Sequence, residues 1–485
     1  MRGGLWLLVL RTPNQGPSAP DLGYAVLGMA AAAAALAGAG CSGEAESDRS
    51  GSLADDQGPT YHADVAPILQ RSCQGCHAPG AIAPFALTNY EEARTTAGLI
   101  ASATASQQMP PWGAIETDEC TPRYRFQHDI RLTDEEIASL TAWNEAGAPE
   151  GDPRDAPPPV APPPSELPDA THELTPAAPY VTSGEQDEFR CFVMDPGLTE
   201  LAYLNGSHVI PGNDKVVHHA VVMADPDGAS AALADANGSY DCFGGFGVDN
   251  AQLLAIWAPG GAPFEVPSNV GTPVAPGSLV VMQIHYHPAG VTADPDTTRV
   301  QLRFTDQKPE YFLAPATPIG NFPVLDASGD GLQPGPNDGA SGPEFRIPAG
   351  SADHVETMRF TVPADVPPIW VYGAAAHMHY VGVDMKIEVE RAAQPGAREC
   401  LLHEPQWNFD WQRFYAYDAP LDALPQLLPN DRLHLTCRYD NTMDNPGVAR
   451  AISDAQLPGP QEVRLGEETL DEMCLTMLPL LFKAP

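Results

Sequence analysis

Two histidine pairs and one methionine carry most of the chemistry this chain could do: His218-His219 in VVHHAVVM, His377-x-His379 in GAAAHMHYVG and Met473 in LDEMCLTM. With His285 in VVMQIHYHP they make two sets of ligands, one of three imidazoles and one of two imidazoles plus a thioether. Imidazole suits many transition metals, but a thioether is a poor ligand for zinc or magnesium and a good one for cuprous copper. The asymmetry therefore points to two copper ions and to redox chemistry, whereas a structural zinc site would take four ligands, usually thiolates. Side chains at i and i+2 of a strand leave the same face roughly 7 Å apart, so HMH and HYH can each present two imidazoles to one ion. Adjacent His218 and His219 would point to opposite faces of a regular strand and can share an ion only at a bulge or strand end. Isolated histidines on apolar strands are usually satisfied core residues, and His208, His354, His403 and His434 are read that way.

The N-terminal half carries a second redox signature. RSCQGCHAPG gives Cys73-x-x-Cys76-His77, the attachment spacing of one c-type haem: two thiols for the vinyl groups and a histidine placed to ligate the iron. The same spacing could be half of a zinc site, but the chain has no second CxxC. Met109 in SQQMPPWGA, followed by prolines that stiffen its loop, is the expected sixth ligand, and a Met/His pair raises the reduction potential. That suits electron transfer rather than oxygen binding.

In order along the chain, FRCFVMD, KVVHHAVV, GSYDCFGG, LLAIWAPGGAPFEVP, VVMQIHYHP, AAAHMHYVG, LHLTCRYDN and DEMCLTM resemble the copper type II, ascorbate-dependent monooxygenases, the family of peptidylglycine alpha-hydroxylating and dopamine beta-monooxygenase. The resemblance covers roughly residues 185 to 485. It implies that His218, His219 and His285 hold an electron-storing copper, and that His377, His379 and Met473 hold the copper that binds oxygen and substrate. His287 has no counterpart in that pattern. The resemblance also implies disulfides Cys191–Cys242 and Cys437–Cys474. Where the peptidylglycine enzyme has an arginine, an asparagine and a tyrosine that hold the substrate carboxylate, this chain has Ala375, Leu475 and Met477. The carboxylate clamp is gone, so a more apolar or aromatic substrate is expected.

The elements that must position these residues divide the 485-residue chain into several parts. Residues 58–152 read as a small α-helical cytochrome c domain. Its last helix, in LTDEEIASLTAWNEAGAP, has Thr133 as N-cap, Glu136 at the third helical position, Ile137, Leu140 and Trp143 as its apolar stripe and Gly147 as its stop. From 153 to 180 the chain is proline-rich and should be a semi-rigid polyproline tether. Beyond it, short Val/Ile/Tyr-rich runs between Pro, Gly, Asn and Asp turns indicate an all-β region. We read this as two sandwiches of jelly-roll type, 181–308 and 309–485, one per copper. Asp326 to Pro343 reads as a surface loop; Asp326, Asp330 and Asn337 offer oxygens, but EF-hand spacing and its closing glutamate are missing.

At the N-terminus, Tyr24 to Gly40 is apolar and alanine-rich and ends in small residues before Cys41. Residues 1–41 resemble a lipoprotein export signal, which implies the periplasm or outer membrane, with Cys41 as lipid anchor. Of nine cysteines, Cys120 and Cys400 are left without an assigned role; they either pair across domains or stay free. A net charge of −38 with only 25 Lys and Arg argues against nucleic acid and anionic membrane surfaces as partners.

The expected function is therefore a copper monooxygenase that hydroxylates a C–H bond of a small organic substrate with O2. Its electrons would come through its own haem from an ascorbate-like reductant or a periplasmic redox protein. The alternatives are a haem/copper electron carrier or oxidase without hydroxylation, and a copper-binding sensor or storage protein.

Overall fold

The computed structural model describes residues 58–79, 83–159, 165–183, 188–213, 215–243, 245–257, 261–286, 294–323, 325–466 and 470–485. The export segment with Cys41, and His287, lie outside the described residues.

The molecule is mostly β-sheet with few helices. Four short α-helices, Ala66–Ser72, Tyr90–Thr95, Ala97–Ala105 and Asp134–Glu145, precede the strands. The last has the capping box its sequence implies: the Thr133 side chain accepts the Glu136 N–H, and the Glu136 carboxylate accepts the Thr133 N–H. Glu136 also takes two hydrogen bonds from Arg71, at 2.7 and 2.9 Å, which ties this helix to the one leading into Cys73. Leu140 and Trp143 are fully buried and pack with Val65 and Leu69 in a small core of their own.

The strands form two layered halves, each with its own apolar core. In the first, a five-stranded antiparallel sheet runs Ser239–Asp241, Glu188–Met194, Leu279–Tyr286, Val217–Asp225, Gln252–Trp257. In the second, another five-stranded sheet runs Gly331–Leu332, His354–Thr361, Arg432–Tyr439, Gly382–Glu390, Arg398–Glu404. Both sheets lie against one eleven-stranded sheet that continues from half to half. The join is parallel: Tyr311 and Phe312, from the strand Tyr311–Gly320, stand beside Val270 and Gly271. The expected boundary near residue 308 is thus a point where a strand crosses within one sheet.

Two further features go beyond the sequence reading. The proline-rich stretch ends earlier than residue 180, because Leu167 is buried and His172–Leu174 pairs with Arg299–Thr305. In addition, residues 112–127 form an arm that joins the core of the second half, so the helical part is held by more than a tether. Ala114 and Phe126 belong to that core, and Phe126 stacks on Tyr417 with ring centroids 5.4 Å apart. Gly113 N–H donates to the Tyr415 hydroxyl (3.0 Å), Ile115 N–H to the His403 carbonyl (3.0 Å) and Gln127 N–H to the Ala416 carbonyl (2.8 Å). The disulfide Cys120–Cys400 fastens the arm, answering the open question about these two thiols. Cys191–Cys242 and Cys437–Cys474 are also formed, as the resemblance implied. Among the described residues no helix is long and apolar enough to cross a membrane.

A bridge between positions 280 residues apart removes much freedom from the unfolded chain. Replacing Cys120 and Cys400 together by serine should lower the unfolding free energy by about 5 kcal/mol in the chain-entropy model. Denaturant titration of the oxidised protein checks this, and an unchanged midpoint would mean that the other arm contacts suffice.

Candidate metal centres

The first histidine group is built on two neighbouring strands. His219 pairs directly with His285, and the ladder between Val217–Asp225 and Leu279–Tyr286 shifts register between Val217 and His219. This irregularity is the bulge that adjacent ligands require, and it lets His218 and His219 turn to one ion position. His218 Nδ1 lies 3.3 Å from His219 Nδ1 and 3.2 Å from His285 Nδ1. One ligand atom from each residue falls within 4.8 Å of the others, and among the described residues no other group of three His, Cys, Asp or Glu side chains converges in this way. The Phe189 ring lies flat on His285, 4.3 Å between centroids and 6° between planes, which fixes that imidazole's orientation. Burial, then the neighbouring His285 and His218, hold the His219 pKa well below its ordinary value. The neutral form is the one that can ligate a metal.

The second group stands on the strand Gly373–His377 and the residues just before Leu475–Lys483. These strands are antiparallel with His377 opposite Leu475, and the same register continued by two residues puts Met473 across from His379. Residues opposite each other share a face, so His377, His379 and Met473 come from one side of the pair. The two imidazole rings are 5.4 Å apart and nearly perpendicular. His377 Nδ1 lies 2.6 Å from Gln412 Oε1, and His379 Nδ1 lies 3.0 Å from the Asp471 carbonyl. Both partners are acceptors, so each Nδ1 carries the proton and each Nε2 keeps its lone pair for a metal. Burial, then the charge of His379 when protonated, pushes the His377 pKa down to about 4.

Met473 is held through its backbone. Its N–H donates to Glu472 Oε1 at 2.7 Å, its carbonyl accepts the Tyr439 hydroxyl at 2.9 Å, and the Cys437–Cys474 bridge fixes the next residue. The fully buried Glu472 also accepts the His379 N–H, so one carboxyl group ties the HMH turn to the methionine. Burial pushes the Glu472 pKa up to about 8, with the donating backbone N–H groups of His379 and Met473 opposing.

Phe409 stands between the two groups. Its ring is 6.4 Å from His218 and 6.0 Å from His379, and it packs 4.5 Å from Tyr380. Asp410, the next residue, receives two hydrogen bonds from Arg450, and Trp407 donates its indole N–H to the His379 carbonyl. Glu472, Gln412 and Phe409 are therefore functional candidates that the sequence reading missed. A single glutamate, glutamine or phenylalanine has no spacing pattern to mark it, although DEM already placed Glu472 beside a ligand.

At the haem motif, Cys73 and Cys76 are unpaired and half-buried. Burial drives the Cys73 thiol up to about 12 and also raises Cys76, the latter opposed by Arg413. His77 Nδ1 sits 3.0 Å from the Phe85 carbonyl, leaving Nε2 free to ligate iron, and the rings of His77 and Phe85 are 4.8 Å apart. Met109 is half-buried on the loop after Ala97–Ala105. The buried Trp112 indole N–H has no acceptor among the described residues. Two half-buried thiols and an oriented imidazole at this spacing fit the attachment of a haem. The histidines expected in the core find protein partners: His354 with Glu356 (2.6 Å), His403 with Asp384 (3.1 Å), His434 with Glu390 (2.9 Å) and the buried His208 with the Ser165 backbone.

No family model and no curated protein matches this chain. Solved structures similar to it include the naturally empty particles of cowpea mosaic virus, 10% identical over 66% of this chain and 90% of that one, with a TM-score of 0.23. The VP2 subviral particle of infectious bursal disease virus is 10% identical over 66% and 81%, TM-score 0.13. Pumpkin seed globulin is 9% identical over 56% and 86%, TM-score 0.11.

Two outcomes are expected from this geometry. Gln412→Leu should weaken metal binding at the His377 group about 10- to 100-fold while sparing the His218 group, as seen in competitive chelator titrations. In metal-free protein the folded pKa of His377, about 4, lies below its ordinary 6.5, so the unfolded chain binds more protons between those values. Stability from this group is complete above about pH 6.5 and lost as pH falls towards about 4. His377→Asn should flatten that part of the stability profile, and an identical profile would contradict the assignment.

Proposed function

We propose that this chain is a copper-dependent monooxygenase that hydroxylates a C–H bond of a small organic substrate with O2, drawing electrons through its own c-type haem. The observation that carries this reading is the pairing of a three-imidazole cluster with a separate group of two imidazoles and a thioether, with Phe409 against a ring of each. Such a reaction needs two electrons beyond the two taken from substrate, and two unlike one-electron sites near each other suit that need. His218, His219 and His285 would hold one copper, and His377, His379 and Met473 the other. Cys73 and Cys76 would bind the haem covalently, and His77 and Met109 would ligate its iron. When bound, copper supplies one-electron chemistry towards O2, and its cuprous state is favoured by the soft Met473 ligand.

The chain's own residues prepare that chemistry. Gln412 and Asp471 hold the two imidazoles in the tautomer that offers Nε2. Glu472 keeps Met473 and His379 at fixed separation. Ala375, Leu475 and Met477 occupy the same face as His377 by their register, and none of them carries a charge. These three residues offer a substrate carboxylate no partner, and an apolar or aromatic substrate fits them better. The three disulfides suit an oxidising compartment, in keeping with export and a lipid anchor at Cys41. The external donor would be an ascorbate-like reductant or a periplasmic redox protein.

Metal analysis of periplasmically expressed protein should find two coppers and one haem per chain. Met473→Ile should then abolish hydroxylation and keep one copper at His218, His219 and His285. Unaltered turnover in Met473→Ile would refute the assignment.

A further inference from the structure

The turn from Phe409 to Arg413 reaches all three ligand groups. Phe409 touches His218 and His379, as above, and Gln412 hydrogen-bonds His377 while its amide N–H closes the turn on the Phe409 carbonyl at 3.1 Å. Arg413, next in sequence, places its guanidinium 5.3 Å over the Trp112 ring and within electrostatic reach of the Cys76 thiol. A cation and a buried indole N–H with no acceptor among the described residues thus stand side by side, the cation within electrostatic reach of Cys76. Their shared chemistry is recognition of a carboxylate.

A second set of contacts leads from the same arm to His377. A Cβ at Gly113 would come within 2.5 Å of Glu404 Oε2, so the arm passes close against this side chain. The Glu404 carboxyl is buried and accepts the N–H of Ala376, the residue before His377. The arm contacts described here, and the Cys120–Cys400 bridge, go to the second half.

We propose that Trp112 and Arg413 receive a propionate of the haem at Cys73, Cys76 and His77, and that this docking makes the His377/His379/Met473 group the port at which electrons enter. The proposal rests on the function proposed above and adds the direction of supply. One electron leaves ferrous haem, which becomes ferric, and reduces one cupric ion at the second group to cuprous; the external reductant then restores the ferrous haem. Arg413 acts as a positioning residue, and Gln412 is the hydrogen-bonded link to His377.

The test uses full-length protein loaded with haem and cupric ion. In copper-free protein, spectroelectrochemistry should show a lower haem potential in Arg413→Gln and a potential near that of wild type in Arg413→Lys, because a cation beside the haem favours the ferrous state. A purely structural cation–aromatic contact would leave all three alike and overturn the docking. Anaerobically, haem reduced by a flash should reoxidise at close to the wild-type rate in His285→Ala, and its fast phase should vanish in His377→Ala. Gln412→Leu should slow it by about tenfold or more. A fast phase lost in His285→Ala and kept in His377→Ala would overturn the proposal alone, since haem and copper would still be present. A wild-type protein that binds no haem or no copper would overturn both this proposal and the function it rests on.

Discussion

The pairing of Tyr311 and Phe312 with Val270 and Gly271 is the constraint on which the arrangement of the sites depends. By this contact one sheet passes from the first half to the second, and each five-stranded sheet then packs on its own end of it. Sheets packed at their cores move little relative to each other, so ligand groups carried by different halves keep a defined relation. The Phe409 ring, in contact with His218 from one half and His379 from the other, is the local expression of that constraint.

Within each half, the ligands depend on strand register. His219 and His285 face each other because their strands pair there, and His218 joins them only because the ladder slips by one residue. At the second group, register alone would bring His379 and Met473 opposite one another, but neither lies inside the regular ladder. Glu472 supplies what the ladder does not, by accepting backbone N–H groups from both sides. A buried carboxyl is costly unless hydrogen-bonded, and here backbone donors that also define the site reduce that cost, although burial still raises the Glu472 pKa.

Much of this was legible in the residues themselves. The HMH spacing implied two imidazoles on one face, adjacent His218 and His219 required a bulge, and Thr133 with Glu136 announced a capped helix that is present with both of its bonds. What stayed hidden was tertiary. The binding of residues 112–127 to the second half rests on Phe126, Ala114 and backbone N–H groups whose partners are about 290 positions away, and no local pattern encodes such pairing. The positions of Gln412 and Arg413 depend on a turn whose own sequence, NFDWQRF, has neither strand nor helix period. The continuous sheet was missed for a similar reason: a strand's sequence states which face is buried and leaves its neighbours unspecified.

The two proposed metal groups differ in kind, one all nitrogen and one with sulfur. X-ray absorption at the copper edge, on the fully cuprous protein, reads that difference directly. Wild-type protein should show a sulfur shell at roughly half occupancy per copper, absent from Met473→Ile and retained in His219→Ala. Spectra with only nitrogen and oxygen neighbours in the wild-type protein, or a sulfur shell unchanged by Met473→Ile, would contradict this assignment.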